Sequence, residues 1–370
     1  MAQSKPHCLA SHSNQQTDTS NLYATRSGPT SCPTPPVRER IIHNQRPGDL
    51  EPDYYKTRGF HPISLGDTFH SVKYTVLGKL GYGQYSTVWL ARDSKYQRYP
   101  ALKVLRADCY GGSHDIFEKE ILSRILEVSN KSSHGGRNHV LSLLDQFKHT
   151  GPNGDHVCFV LDVLGHHLDF QAAKYEDGQL PLKSVKVITR QLLLGLDFLH
   201  RECGIIHTDL KPTNILLELE NPNHAISQYL SEVPARADCQ RGITVPLREV
   251  ITTPLRRISS HTKRILIIAT WGEDRLSNLI QSPALRAPEV TIGAPWDTGV
   301  DIWSLGFLFS GEASENGTWT AEDDHLARII EILGPFPLDF IKKGNRGAEL
   351  FDKQGNLLRI SNLNPRDLSA

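Results

Sequence analysis

One stretch constrains this chain more than any other: His207-Thr208-Asp209-Leu210-Lys211-Pro212-Thr213-Asn214. It follows an amphipathic run and leads into a short apolar one, Ile215-Leu216-Leu217. A carboxylate, an ammonium and a side-chain amide thus come from a single loop. Those are the groups that phosphoryl transfer needs. One orients an attacking hydroxyl, one neutralises the travelling phosphoryl, and one offers an oxygen to a metal. A polar loop with an Asx turn is the plainer reading, and the segments upstream decide against it.

Composition excludes several classes. Lys plus Arg, 41, equals Asp plus Glu, 41, so charge points to neither nucleic acid nor an acidic partner. The six cysteines are scattered with no CxxC pair, which suits reduced thiols in an intracellular compartment and offers no zinc site. The longest clean apolar stretch, 265–269, is far too short for a membrane span. A chain of 370 residues holds one large or two ordinary domains. Residues 1–50 are rich in Ser, Thr, Asn, Gln and Pro and read as a disordered tail. They show no amphipathic Arg-bearing helix, so a mitochondrial transit peptide is not favoured. The expectation is a monomer in the cytoplasm or nucleus.

Two strands are expected at 73–80 and 86–93, joined by Gly81-Tyr82-Gly83-Gln84-Tyr85-Ser86. Two glycines let a hairpin backbone lie close over phosphates. A dinucleotide-binding turn is excluded, because a strand follows where that motif needs a helix. A third strand, 101–105, carries Lys103 between apolar neighbours, and a lysine there needs an acid. The helix expected over 115–128 has Phe117, Ile121, Ile125 and Val128 on one face, with Glu120 beside them. A Lys103–Glu120 pair is therefore expected, against the plainer reading of a solvent-facing Glu120. Further strands are expected at 139–148 and 156–164, then a linker at 162–165 and a long helix over 182–200. His207 reads as a core histidine and not a base.

These segments together resemble the eukaryotic protein kinases: Gly81-Tyr82-Gly83, Ala101-Leu102-Lys103, His207-Thr208-Asp209, Ala287-Pro288-Glu289 and Asp301-Ile302-Trp303-Ser304-Leu305-Gly306 come in that order. Narrower stretches, including Gly59-Phe60-His61-Pro62, Leu164-Gly165-His166-His167-Leu168 and Pro295-Trp296-Asp297-Thr298-Gly299, are similar to the serine/arginine-rich protein kinases, fungal type. The resemblance implies an α+β, two-lobed protein-kinase fold. It implies an antiparallel N-terminal lobe with one helix at 51–165 and a mainly helical C-terminal lobe at 166–370. It implies ATP and Mg2+ as cofactors. ATP would be covered by Leu80, Gly81, Tyr82, Gly83, Gln84, Tyr85, Ser86, Thr87 and Val88, with Lys103 and Glu120 as the structural pair. Asp209 would be the catalytic base, Lys211 the γ-phosphate contact and Asn214 a metal ligand. The substrate would be a Ser or Thr of a protein, with Arg-Ser-rich splicing-type proteins expected. Thr208 stands where most kinases carry an Arg that pairs with a phosphorylated activation loop, so this site should not wait for that phosphorylation.

Two departures stand out. The family's Asp-Phe-Gly is missing: the chain runs Arg264-Ile265-Leu266-Ile267-Ile268-Ala269-Thr270-Trp271, and Asp274 beyond it is a poor substitute. Loss of that carboxylate costs several kcal/mol of transition-state stabilisation, roughly a thousandfold or more in rate. The helix starting at Asp301 also meets Ser310-Gly311-Glu312 after Phe307-Leu308-Phe309, so its second half reads as missing, as do the last helices of the C-terminal lobe. The partner of Glu289 would belong to those last helices. Dropped gene segments explain two clean gaps between intact motifs better than drift does. The rival readings are a catalytically dead scaffold and a small-molecule phosphotransferase. Residues 218–263 read as a polar insert with no assigned function.

Overall fold

The alternation of apolar residues along 74–105 builds a sheet whose two faces carry different tasks. In a computed structural model the described residues are 52–110, 116–232, 265–267, 280–308 and 320–365, all within the compact unit Gln45–Ala370. The expectations for the tail, for 233–264, for Asp274 and for 309–319 lie outside them.

The N-terminal lobe is a six-stranded antiparallel sheet of β1 (Thr68–Phe69), β2 (Tyr74–Tyr82), β3 (Ser86–Asp93), β4 (Ala101–Leu105), β5 (Leu143–Gly151) and β6 (Gly154–Leu161), in the order β1-β2-β3-β4-β6-β5. Successive side chains on a strand point to opposite faces. Leu102 and Val104 therefore join Val76, Trp89, Cys158 and Val160 in one buried layer. Ala101 and Leu105 join Leu90, Leu122, Phe159 and Leu161 in the other. Lys103 shares that second face, which looks onto helix α1 (Glu118–Lys131).

The segment before β1 is strapped to the sheet. Asn153 Nδ2 donates to the carbonyls of Tyr55 (2.8 Å) and Phe60 (2.6 Å). His61 lies 3.1 Å, Nε2 to Nε2, from His149, and its ring also faces His156. A Cβ on Gly151 would meet the His61 ring at 2.2 Å, so only glycine admits it. Burial, with His149 and His156 close by, pushes His61 down to about 4, against a smaller opposing effect of Asp67. The folded state thus keeps His61 neutral, whereas the unfolded chain charges it near its ordinary value. This contribution to stability is intact above about pH 6.5 and is lost as the pH falls toward 4. His61→Phe is expected to flatten the fall of the thermal midpoint between pH 7 and pH 4.5, read by calorimetry.

The C-terminal lobe is organised by α3 (Leu182–Asp197), which follows the short α2 (Leu168–Ala172). Its Ile188, Leu192 and Leu196 are fully buried against Leu168, Leu210, Ile215, Leu217 and Leu305. A wider turn, Phe198–Cys203, follows α3, and Gly204 in the left-handed region (φ 67°) ends it. The chain then enters the loop at His207. A second sheet pairs β7 (Leu164–His167), β8 (Ile215–Glu218) and β9 (Ile265–Ile267). Helix α4 (Pro222–Glu232) opens the segment read as an unassigned insert, and its Ile226 and Tyr229 join the cluster of Ala101, Leu161 and Val163. Asn223 also accepts the Tyr99 backbone N–H at 3.1 Å. The start of that segment is therefore a strut against the N-terminal lobe. Beyond it come α5 (Pro288–Thr291), α6 (Gly299–Phe307) and α7 (Ala321–Leu333). No described helix is long and apolar enough to cross a membrane.

Candidate active site

The loop at 207–214 is held from below by one buried carboxylate. Asp301, on α6 and fully buried, accepts the backbone N–H groups of His207 (2.7 Å) and Thr208 (2.8 Å) and bonds His200 Nε2 at 2.8 Å. Thr208 is thereby kept at φ 62°, a left-handed conformation that a β-branched residue avoids. Such strain persists only where the surroundings over-determine it. Here it turns the next residue, Asp209, into the cleft. His207 is fully buried and its Nδ1 accepts the Asp209 N–H at 3.2 Å, a structural role as read from the sequence.

Asp209 gathers its neighbours. Its Oδ2 lies 2.7 Å from Lys211 Nζ and accepts from Asn214 Nδ2 at 2.9 Å. Asn214 Nδ2 also reaches the Asp209 carbonyl, which leaves the Asn214 carbonyl oxygen as its metal-competent atom. Asp209 Oδ1 accepts from Ser282 Oγ at 3.3 Å. Sequence reading missed Ser282 and gave Asp301 no role. Both lie far along the chain from the loop they serve.

On the nucleotide side the structure corrects one assignment. Lys103 Nζ pairs with Glu118 Oε1, not with Glu120. Glu120 is exposed and meets the Tyr110 hydroxyl at 3.4 Å. The helix starts later than the periodicity suggested. Phe117 sits outside it at φ 51° and is 43% exposed, so the buried stripe is Glu118, Ile121, Leu122, Ile125 and Val128. Glu118 stands three and four residues before Ile121 and Leu122, the spacing that would have found it. We expect Glu118→Gln to lower kcat/KM for phosphorylation about ten- to a hundredfold and Glu120→Gln to leave it within about twofold, in a steady-state assay.

The turn between β2 and β3 is closed by Gly83 N–H donating to Ser86 O at 2.8 Å. Nothing lies within 4 Å of where a Cβ on Gly81 or Gly83 would be, so the backbone is open to an anion. Val88 pairs with Lys103 across β3 and β4. Thr87 is turned to the other face, where its hydroxyl accepts from Trp89 Nε1 at 3.0 Å, so its side chain does not serve the cleft. The residues present thus fit a nucleoside triphosphate. The metal fits less well. Ile267 pairs with Ile215, next to Asn214, and the residues that follow it, Ile268-Ala269-Thr270, bring no carboxylate. Asn214 is then the one metal ligand the sequence assigns.

The floor beyond Asp209 is braced. Gln281 donates to Val300 O (2.8 Å) and Ser304 Oγ (2.7 Å) and accepts from Ala287 N–H (3.0 Å). Arg286, 7% exposed, and Arg346 both pair with Glu322 of α7. Burial pushes the Glu289 carboxyl above the usual range.

A two-lobed fold with this loop and this lysine–glutamate pair defines a protein kinase. The protein kinase domain family matches residues 74–229. The serine/threonine-protein kinase SRPK of Physarum polycephalum is 34% identical over 341 aligned positions, covering 84% of this chain and 78% of the relative. Protein kinase dsk1 of Schizosaccharomyces pombe is 32% identical over 407 positions, covering 84% and 74%. The serine/threonine-protein kinase SKY1 of Saccharomyces cerevisiae is 45% identical over 166 positions, 45% of this chain and 22% of the relative. The chain belongs to the SRPK-type family of protein serine/threonine kinases. The scaffold and small-molecule readings are not favoured, and the family implies ATP and a divalent metal.

Proposed function

We propose that this kinase phosphorylates serines of Arg-Ser-rich proteins in the cytoplasm or nucleus. The observation that carries the reading is the Asp209 carboxylate held jointly by Lys211, Asn214 and Ser282. A carboxylate fixed in this way can orient a hydroxyl for in-line attack and take its proton. Lys211, 2.7 Å away, supplies positive charge where the phosphoryl passes. Lys103, steadied by Glu118, would hold the inner phosphates of ATP, and the open backbone at Gly81 and Gly83 would cover them. Asn214 would ligate magnesium, which when bound neutralises phosphate charge. Thr208 in place of an arginine supports a site that works without a phosphorylated activation loop. The relatives include a protein named SRSF protein kinase 3 in Homo sapiens, 36% identical over 225 residues, which supports the substrate class.

Two peptides test the substrate: an Arg-Ser repeat and the same peptide with Lys for Arg. Faster transfer of labelled γ-phosphate to the Arg-Ser peptide is expected. Equal rates would remove the substrate claim. Lys103→Met should abolish transfer while leaving peptide binding; peptide binding by the wild-type chain with no transfer of its own would point back to a scaffold.

A further inference from the structure

Three imidazoles meet where the strap of residues 54–61 crosses the sheet: His61 of the strap, His149 of β5 and His156 of β6. The His149 and His156 rings lie 4.6 and 5.0 Å from that of His61, and Phe69 packs on His149 at 4.4 Å. His156 is fully buried, His61 nearly so, and His149 half-buried. The geometry constrains the protons. A carbonyl only accepts, so His156 Nδ1, 2.9 Å from Leu105 O, carries the proton of that ring. Its Nε2 is then a bare lone pair, buried with no hydrogen-bond partner among the described residues. One proton bridges the Nε2 atoms of His61 and His149. Neutral rings satisfy this arrangement. A further proton sets N–H against N–H in the bridge, or leaves a cation at a buried imidazole.

The charged groups facing the cluster are Asp67, toward His61 and His149, and Asp155, beside His156. Both are already engaged, Asp67 by the Ser64 N–H and Asp155 by Lys148, each at 2.7 Å. Arg106, over the Phe60 ring of the strap at 5.8 Å, is paired with Asp108. Burial outweighs the two carboxylates and lowers all three imidazoles, His61 to about 4. Lifting the strap returns the rings to water and toward their ordinary value, so opening takes up protons and is favoured as the pH falls below about 6.5. The strap also holds the exit of β4. Ala107 N–H donates to Gly59 O at 3.1 Å and Asp108 N–H to Arg58 O at 3.0 Å, while His156 holds Leu105 O. Lys103 lies on that strand, and its partner Glu118 opens α1.

We propose that His61, His149 and His156 form a proton-operated latch: protons entering the cluster lift the strap from the sheet, free the exit of β4 and weaken nucleotide binding at Lys103. The lifting needs no ligand, whereas its effect on affinity rests on the ATP site proposed above.

Hydrogen exchange of the full chain between pH 7 and pH 5, corrected for intrinsic rates, reads the latch. The amides of Arg58, Ala107 and Asp108 are expected to be less protected than those of Leu102 and Val160 in the sheet. Below about pH 6 they should lose protection by more than about tenfold per pH unit, because more than one proton enters. His149→Phe keeps a ring beside Phe69 and cannot titrate, so its loss per pH unit should be about tenfold smaller. His149→Gln is a second non-titrating chain, should the phenylalanine lower the thermal midpoint at pH 7. A labelled, non-hydrolysable ATP analogue is expected to bind the wild-type chain about tenfold more weakly at pH 5.5 than at pH 7, with most of that loss absent in the variants. Strap amides that exchange only together with the sheet amides, or a pH slope that neither variant changes, overturn the latch. Equal weakening of analogue binding in all three chains overturns the coupling to Lys103. No analogue binding at pH 7 would overturn that coupling together with the ATP site, while exchange at the strap still decides the latch.

Discussion

Asp209→Asn is expected to lower phosphoryl transfer by about three orders of magnitude while nucleotide affinity stays within about threefold. The reason is local. The amide keeps the shape of the carboxylate and can still face Ser282, but it cannot take a proton, and it loses the charge that steadies Lys211 at 2.7 Å. Nucleotide affinity survives because Lys103, Glu118 and the β2–β3 turn lie on the other lobe. Lys211→Met alone is expected to fall by a similar factor. The double variant should be little worse than either single one, because the two residues act as a unit. Additive losses would show that they act separately. Rates from a quenched-flow assay and affinities from a labelled nucleotide separate the two quantities.

The second large effect falls on folding. Asp301→Ala should destabilise the chain by about 3–5 kcal/mol, because it strands two buried backbone N–H groups and the imidazole of His200. Against the roughly 5–15 kcal/mol of a typical domain, that is a large fraction. Asp301→Asn keeps one oxygen and should lose less. It presents an NH2 group to one of the stranded donors, so the catalytic loop should loosen even where the fold survives. Urea unfolding gives the stability, and hydrogen exchange at His207 and Thr208 gives the loosening. Unchanged exchange in a folded Asp301→Asn chain would mean that the carboxylate does not set the loop.

The catalytic loop was legible because its chemistry is contiguous: Asp209, Lys211 and Asn214 lie within six residues and meet in the structure as their order suggested. The strand carrying Lys103 was legible for a similar reason, since alternation fixes which side chains share a face. Glu120 was misread because the start of a helix is poorly marked by periodicity. Phe117 looked like the first apolar residue of the stripe, yet its left-handed backbone leaves it outside the helix and exposed. Thr87 was misread by proximity alone, although it alternates with Val88 and so had to point away. Ser282 and Asp301 act across long separations in sequence, and no local pattern announces which distant hydroxyl or carboxylate will arrive. The strained Thr208 was invisible for the same reason, because the strain exists only once Asp301 holds it. The docked helix α4 shows the limit of composition: Pro222–Glu232 is polar on average, but Ile226 and Tyr229 are enough to seat it on the N-terminal lobe.

In the proposed mechanism this chain transfers the γ-phosphoryl group with Asp209 as the base and with a weakened hold on the metal. Single-turnover transfer from γ-labelled ATP to an Arg-Ser peptide tests it most directly, run on the wild-type chain and on Asp209→Asn with Mg2+ present. Phosphoserine is expected in the wild-type reaction at about 10⁻³ to 10⁻¹ s⁻¹, roughly a thousandfold below ordinary kinases, and none above background in the variant. Wild-type transfer no faster than the variant's, in a chain that still binds ATP, would contradict it.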